Sequence, residues 1–365
     1  YNSARIALAE RSRELASLAA ELGEPLRSRL PVDGFLLRGV RRALATWAGW
    51  FPHLPAPPVE APVADGEGEG TDAAGSGIGA CLFSGGVDSF FTLLRHREDD
   101  PAVRHEIHDL LTVGGLDVPL ARRDELRRLA DRTGEVARRT GTDAVFMTTN
   151  IRETRWSAAP WERLAHGPLL AACGLALGRR YDRVLIPSSL PYVRSQHPWG
   201  SHPFVDPLFS TGTTGIVYDG ATRLRTDKTL RIAESPLALR LLRVCWAERA
   251  ADNCGRCAKC WRTMASLEAI GALERCPAFP EGAFSLEGLA SLRVRTGPET
   301  RMLERAVPLA EAAGRDDLAA ALRQAVRGSR RRRRLAGWIG RLRTIGLPRP
   351  LVEALRRRVL SGAVR

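Results

Sequence analysis

The chain has 365 residues, of which 44% are hydrophobic and 26% are charged, a composition typical of a globular protein long enough for two domains. No apolar run approaches the roughly 18 residues needed to cross a bilayer, so a membrane span is not expected. The net charge of +14 is concentrated in residues 321–365, which contain 14 Arg and one Glu, so any polyanionic partner is expected to bind there.

Changes in composition along the chain predict five segments. The first is rich in Ala, Leu, Glu and Arg and is predicted to be helical, with Trp47, Trp50 and Phe51 packing it onto another part of the protein. A Pro-rich stretch followed by a Gly- and acid-rich stretch then predicts a linker. The predicted boundaries are 1–54 (helical region), 55–77 (linker), 78–240 (α/β domain), 241–276 (cysteine-rich loop and helix) and 277–365 (basic helical extension).

From Ile78 onward, short apolar strands alternate with helices. The predicted strands are 80–83, 109–113, 144–148 and 183–187, and the predicted helices are 89–97, 120–139 and 161–178, the last closed by Gly178. This alternation predicts an α/β fold in which helices cover both faces of a parallel sheet. Ligands in such folds bind beyond the carboxyl ends of the strands.

A phosphate-binding loop is predicted between the first strand and the first helix of this domain. It reads Ser84-Gly85-Gly86-Val87-Asp88-Ser89. Its glycines allow a sharp turn that directs successive N–H groups into one concavity, and the helix adds its own unpaired N–H groups and positive dipole end. The two serine hydroxyls are further donors. Because a carboxylate repels phosphate, Asp88 is expected to hold Mg²⁺, which bridges it to the phosphates.

Residues after the other strands, and one lysine, are expected to complete the pocket. The candidates at the strand ends are Gly114, Asp117, Thr149, Ser188 and Ser189, each with a turn or capping role as the alternative. Lys228 is one of only two lysines in the chain and lies at the start of a predicted helix. It is expected to contact phosphate, and the alternative is a solvated surface lysine.

A segment rich in proline and aromatic residues follows the fourth strand and contains the candidate substrate residues His197, His202 and Asp206. A histidine there could move protons to or from an attacking amine. The alternative is a rigid loop in which the histidines are hydrogen-bonded and have no chemical role.

Four of the seven cysteines have the spacing Cys245-x8-Cys254-x2-Cys257-x2-Cys260. Clustering of this kind in a long chain favours metal ligation in a reducing compartment, so a cytoplasmic location is expected. Four thiolates close the coordination sphere of a tetrahedral ion, which predicts structural rather than catalytic Zn²⁺. An iron–sulfur cluster, a redox disulfide and unligated thiols are the alternatives.

The six-residue loop resembles the SGGxDS signature of the PP-loop ATP pyrophosphatases at all six positions, whereas the G-K-[ST] ending of a Walker A loop is missing. Together with the four cysteines, it resembles the 7-cyano-7-deazaguanine synthases (QueC) over about residues 78–267. The resemblance implies an adenine-nucleotide-alpha-hydrolase-like (HUP) core that splits ATP to AMP and pyrophosphate. Segment 78–240 would then be the ATP pyrophosphatase domain.

This resemblance implies that a substrate carboxylate is adenylated and then attacked by ammonia or an amine. Ser84 and Asp88 would act in catalysis together with Lys228, whose segment matches the family's T-K-x-E-like pattern only in part. The N-terminal region and the basic tail have no counterpart in these synthases, and residues 195–207 do not match their deazaguanine-binding residues. The carboxylate, on a small molecule or a protein, is therefore left unassigned, and whether the chain forms a homodimer is left open.

Two other functions remain open from the sequence. One is tRNA thiolation by a PP-loop enzyme, which requires a reactive cysteine near the strand ends. The other is a non-catalytic nucleotide-binding subunit of a multi-protein system. The arginine-rich tail is likewise open to binding nucleic acid, to lying on an anionic membrane, to pairing with an acidic partner chain, or to being only a solvated helical face.

Overall fold

The computed structural model describes residues 16–64, 77–98, 104–178, 180–246, 250–341 and 349–360. The chain forms two compact units, residues 1–225 and 226–365. Within the described ranges, no helix combines the length and the apolar character needed to cross a membrane.

The strands all belong to the first unit, as far as the structure describes the chain. They are β1 (Leu26–Arg27), β2 (Val59–Glu60), β3 (Gly79–Leu82), β4 (Asp109–Gly114), β5 (Asp143–Thr148), β6 (Arg183–Pro187) and β7 (Gly215–Asp219). The helices of this unit are α1 (Ala16–Leu22), α2 (Gly34–Trp50), α3 (Val87–Glu98), α4 (Arg123–Thr140) and α5 (His166–Leu175). Helix α6 (Arg225–Ala233) begins at the last residue of this unit.

Five strands form one parallel sheet in the order β5-β4-β3-β6-β7. The chain therefore starts at the central strand β3, proceeds outward through β4 and β5, and then crosses to β6 and β7 on the other side. This reversal places a topological switch point between β3 and β6, where ligands bind in open α/β sheets. The predicted α/β class with a parallel sheet is confirmed.

Strand β7 is absent from the four strands predicted from the sequence. It has five residues, as β6 has, and its apolar part is limited to Ile216, Val217 and Tyr218. Strand β3 is buried along its whole length, as expected for the centre of a sheet covered on both faces. Strand β5 is half exposed because it forms an edge.

Helix α2 packs onto the segment before β7. Trp47 is fully buried and lies 6.4 Å from Phe209, ring centroid to centroid. A side chain at Gly39 would collide with the carbonyl oxygen of Leu208, because an ideal Cβ there lies 1.8 Å from that oxygen. The ring of Trp50 meets that of His202 edge-on at 4.5 Å. The prediction that the tryptophans of this region pack against another part of the protein is confirmed.

The segment predicted as a linker contains part of a second, two-stranded sheet. Its strand β2 pairs in parallel with β1, and Val63 forms an isolated bridge with Val32. Residues 65–76 of the predicted linker lie outside the described residues. The Pro-rich half is therefore anchored to the N-terminal region.

The helix predicted over residues 161–178 is shorter and interrupted. Residues Trp161–Ala165 form a π-turn, and the α-helix proper spans His166–Leu175. Pro168 cannot donate a backbone hydrogen bond, so a regular helix can pass it only in its first turn. Gly178 is not in the left-handed conformation, and the helix ends at Leu175.

The second unit is helical in its described part. Besides the rest of α6, it contains α7 (Pro236–Leu241), α8 (Ala258–Ala269), α9 (Leu286–Ser291), α10 (Gly297–Glu304), α11 (Ala306–Ala312), α12 (Asp316–Arg341) and α13 (Arg349–Leu360). The apolar face of α12, with Leu318, Leu322 and Val326, joins the core formed with α8–α11. The run of five arginines, 330–334, therefore lies within a long helix and not in an extended tail.

Candidate functional site

The predicted phosphate loop connects β3 to α3 at the switch point of the sheet. Gly85 has φ of +73°, a conformation that L-residues with side chains rarely adopt. The loop is held by the hydroxyl of Ser89, which donates to the carbonyl of Gly86 over 3.1 Å, and by T-shaped packing of Phe83 on Phe90. The first turn of α3 adds N–H groups that have no partner within the helix. The turn thus offers amide donors at the place where ligands bind in such sheets.

Asp88 is half-buried at the start of α3 and forms an ion pair with Arg225. The distance from Arg225 Nη1 to Asp88 Oδ2 is 2.5 Å. This guanidinium, which follows the last strand, was not identified from the sequence, because Arg225 is one of many arginines and lies 137 positions from its partner. The carboxylate expected to hold Mg²⁺ therefore also holds a cation supplied by the protein.

A buried network fixes α3 against β7. The carboxylate of Asp219, at the end of β7, accepts from the hydroxyl of Thr92 over 2.7 Å and lies 2.9 Å from Nε2 of His96. Arg95 adds an ion pair over 3.4 Å. Although burial opposes its ionisation, these partners hold the pKa of Asp219 below its usual range. The network connects α3, the helix that follows the phosphate loop, to the edge strand β7. Neither the network nor β7 was predicted from the sequence.

The glycines at the end of β4 allow neighbouring segments of the protein to approach closely. Gly115 has φ of +92°, and a Cβ there would lie 1.9 Å from the carbonyl oxygen of Thr149. A Cβ at Gly114 would meet Leu126 at 2.8 Å. The space beside Gly115 is thus occupied by the protein's own backbone at Thr149.

The remaining strand-end candidates differ in exposure. Asp117 and Ser189 are exposed, Thr149 is half-buried and Ser188 is fully buried. Thr149 accepts a hydrogen bond from the N–H of Ile151, which is a turn-stabilising contact. Ser189 accepts one from the indole of Trp199. The parallel sheet brings residues 84–89, 114 and 188 together at the carboxyl ends of its strands, since each follows or ends one of three neighbouring strands.

His202 is a buried histidine with both ring nitrogens engaged. Nδ1 accepts from the N–H of Phe204 over 3.1 Å, which leaves Nε2 as the donor to the carbonyl of Ser195 at 2.8 Å. Burial lowers the pKa of this imidazole. These contacts match the alternative in which the loop histidine is hydrogen-bonded and structural. His197, in contrast, is exposed.

Asp206 lies at the centre of the same loop and is fully buried. It accepts from the hydroxyl of Ser201 over 2.6 Å and from the N–H of His202 over 3.0 Å. Burial raises the pKa of this carboxyl to about 7, although the two hydrogen bonds oppose the shift. A Cβ at Gly167 would lie 2.1 Å from Asp206 Oδ1, so α5 has no room for a side chain there.

The Asp206→Asn variant is expected to gain stability relative to the wild type as pH rises. The carboxyl of Asp206 has a pKa of 3.8 in the unfolded chain and of about 7 in the folded wild type. At pH values between these two, the folded protein keeps a proton that the unfolded chain has released. The resulting stabilisation is complete below the unfolded pKa and is lost as pH rises through about 7. Between pH 5 and 8 the difference in unfolding free energy should shift by about 3 kcal/mol toward the variant. Urea unfolding at both pH values measures this shift, and an unchanged difference would contradict proton retention.

Lys228 is buried in α6, three residues after Arg225. Because this side chain is buried, the alternative of a solvated surface lysine does not hold. Burial of an ammonium group is unfavourable unless it has a partner. The contact of Lys228 with phosphate stays a prediction.

The chain matches no family model, and neither curated proteins nor solved structures match it. The PP-loop resemblance therefore rests on the six loop residues and the four cysteines alone. The sheet order and the side-chain contacts are the observations on which a function can be argued.

The four cysteines form a compact group in the second unit. Their Sγ atoms all lie within 4.8 Å of one another. Cys257 Sγ lies 3.4 Å from that of Cys260 and 3.9 Å from that of Cys245, and Cys254 Sγ lies 3.9 Å from that of Cys260. Zn–S bonds of about 2.3 Å in a tetrahedron place sulfurs about 3.8 Å apart. The group therefore has the size of a four-sulfur metal site.

Two residues between the first and third cysteines shape this group. The amide of Asn253 accepts from the N–H groups of Val244 and Cys245 and donates to the carbonyls of Leu242 and Ala278, all within 3.1 Å. Gly255 has φ of +68° and approaches Ala283 closely. Asn253 was not singled out from the sequence, because a lone Asn beside a cysteine has no distinguishing pattern.

The other three cysteines, all within the described residues, are buried. Burial raises the pKa of the Cys81 thiol well above its ordinary value. Burial also raises the pKa of Cys276 to about 11, and its thiol donates to the carbonyl of Leu239. None of these environments favours a thiolate nucleophile.

Proposed function

We propose that this chain is an ATP pyrophosphatase of the PP-loop type, with a HUP-like core, that adenylates a substrate carboxylate. The observation that carries the proposal is the position of the Ser84–Ser89 loop. Its left-handed Gly85 and the start of α3 lie at the switch point of a parallel sheet whose strands run in the order third-second-first-fourth-fifth. Phosphates bind at such helix N-termini through backbone N–H groups.

The proposed reaction joins a carboxylate to AMP. A carboxylate oxygen attacks the α-phosphorus of ATP, the bond from that phosphorus to the oxygen bridging to the β-phosphate breaks, and pyrophosphate leaves with the bond electrons. Ammonia or an amine then attacks the acyl carbon and releases AMP. The loop amides and the hydroxyl of Ser84 would bind the departing pyrophosphate, and Arg225 would add positive charge beside it.

Asp88 is the residue that would hold Mg²⁺ at this site. When bound, the ion would neutralise phosphate charge. A single carboxylate already paired with Arg225 is a small donor set, so phosphate and water oxygens would supply most of the ion's ligands. We therefore assign Asp88 a second task, which is to orient the Arg225 guanidinium.

The cysteine group would hold structural Zn²⁺. Four sulfurs at the observed spacing complete a tetrahedron and leave no position for a reacting water. The ion would connect the segment before α8 to the start of that helix. Its part in the proposed function is thus to stabilise the fold of the second unit.

The environments of the remaining cysteines speak against tRNA thiolation through a cysteine of this chain. Thiolation needs a thiolate near the strand ends, and burial disfavours the thiolate of Cys81 and Cys276. A non-catalytic nucleotide-binding subunit would use the same loop, so only turnover separates it from the proposed enzyme.

Incubation of the purified protein with ATP, Mg²⁺, ammonia and a panel of carboxylates tests the proposal. With the right carboxylate, we expect AMP and pyrophosphate to form in equal amounts. In the absence of a carboxylate, we expect titration calorimetry to show binding of α,β-methylene-ATP. Binding without turnover over a broad panel would favour the non-catalytic subunit. Production of ADP and phosphate, or failure to bind any adenine nucleotide, would overturn the proposal.

A further inference from the structure

One exposed face of α12 is lined by arginines. Residues Arg327, Arg331, Arg334, Trp338 and Arg341 follow one another at spacings of four, three, four and three, which places them on one side of a helix. All five are exposed, and the side chain of Trp338 is 60% accessible. We call these five residues the basic stripe. At 1.5 Å per residue it is about 21 Å long.

The basic stripe is held in place by the opposite face of the same helix. Ala325, Ser329, Ala336 and Ile339 are buried, and Ser329 Oγ accepts from the N–H of Val294 over 3.0 Å. The stripe is therefore displayed on a folded element, and binding a ligand need not order a flexible segment.

Arginines beside the stripe have acidic partners, whereas three arginines of the stripe have none in the described part of the chain. Two neighbouring arginines have acidic partners: Arg323 pairs with Glu311 and Arg330 pairs with Glu304. No carboxylate in the described part of the chain pairs with Arg327, Arg331 or Arg334. Three adjacent guanidinium groups without acidic partners form a site for a polyanion.

We propose that the basic stripe binds single-stranded RNA. The arginines neutralise successive phosphates, and the exposed indole of Trp338 stacks on an unpaired base, a combination typical of proteins that bind single strands. A length of about 21 Å accommodates several nucleotides. This inference concerns the second unit alone and does not depend on the proposed ATP chemistry.

An anionic membrane is the less favoured partner. Helices that lie in a membrane surface direct a continuous apolar face toward the lipid. The apolar face of α12 is instead buried in the protein core, and Leu335 is the only large apolar side chain besides Trp338 that α12 exposes in the described structure.

Fluorescence anisotropy with a labelled 20-nucleotide single-stranded RNA tests the proposal on the full chain. The R327Q/R331Q/R334Q variant should bind at least about tenfold more weakly, and the slope of log affinity against log salt should fall by about 2, because three phosphate contacts are lost. Trp338→Ala should weaken binding about tenfold without changing the slope, and Trp338→Phe should retain most of the affinity.

A matched variant, R29Q/R42Q/R123Q, removes three exposed arginines from the first unit and should bind as the wild type. Circular dichroism verifies that each variant is folded. The proposal is overturned if the stripe variant retains full affinity, or if the matched variant loses as much. It is also overturned if duplex RNA or single-stranded DNA competes better than single-stranded RNA, or if the protein sediments with phosphatidylserine vesicles but does not bind the RNA.

Discussion

Substitution of Asp88 by alanine is expected to lower the rate of pyrophosphate release by about 10²–10³-fold, the usual effect of removing one preorganised charge contact to a transition state. The reason is twofold, because Asp88 would place Mg²⁺ and also holds the Arg225 guanidinium at 2.5 Å. Steady-state release of pyrophosphate as a function of Mg²⁺ concentration measures the effect. Zinc content and the far-ultraviolet circular dichroism spectrum should not change.

A double-mutant cycle separates the two tasks of Asp88. If orienting Arg225 dominates, Arg225→Gln will lower the rate by a similar factor, the double variant will be no worse than either single variant, and the Mg²⁺ dependence will be unchanged. If metal placement dominates, Asp88→Ala will raise the Mg²⁺ concentration required for half-maximal rate. Retention of the full rate by Asp88→Ala would exclude both tasks.

Replacing Cys260 with serine should abolish stoichiometric zinc binding and destabilise the second unit by about 5 kcal/mol or more, since metal-binding free energy contributes directly to folding in such sites. Cys260 is fully buried and its Sγ lies within 4 Å of two other cysteine sulfurs. Mass spectrometry of the metal content and thermal unfolding with and without a chelator measure the two effects.

Cys276→Ser is the matched control for this change. Cys276 is also buried in the second unit, but it lies outside the four-cysteine group, and its thiol donates to the carbonyl of Leu239. The serine hydroxyl can make the same hydrogen bond, so this variant should keep its zinc. Zinc retained by Cys260→Ser, or an absorption band of an iron–sulfur cluster in the wild type, would contradict the assignment of structural zinc.

The parts of the fold that could be predicted are those with a local signal. The buried strand before Ser84, the glycine turn and the four cysteines each form a continuous pattern of fewer than about twenty residues, and such patterns reflect backbone and ligand geometry directly. The parallel sheet followed from the alternation of strands and helices. Each of these required only neighbours in sequence.

The contacts that were missed join residues distant in sequence. Asp88 and Arg225 are 137 positions apart, and Asp219 meets Thr92 across 127 positions. Nothing near Arg225 distinguishes it from the other arginines. Gly115 shows the converse difficulty, because its sequence pattern suits either a ligand or the Thr149 backbone that occupies the space. Only the folded chain decides between such alternatives.

The close contact between α2 and residues 202–209 limits how far the protein can be shortened. A domain boundary drawn from composition would permit expression from residue 78 onward. Such a fragment would expose Phe209 and the ring of His202 to water, since Trp47 and Trp50 cover them. The N-terminal region thus covers the loop that contains Asp206. A protein without this region should aggregate, so that its enzymatic activity could not be measured.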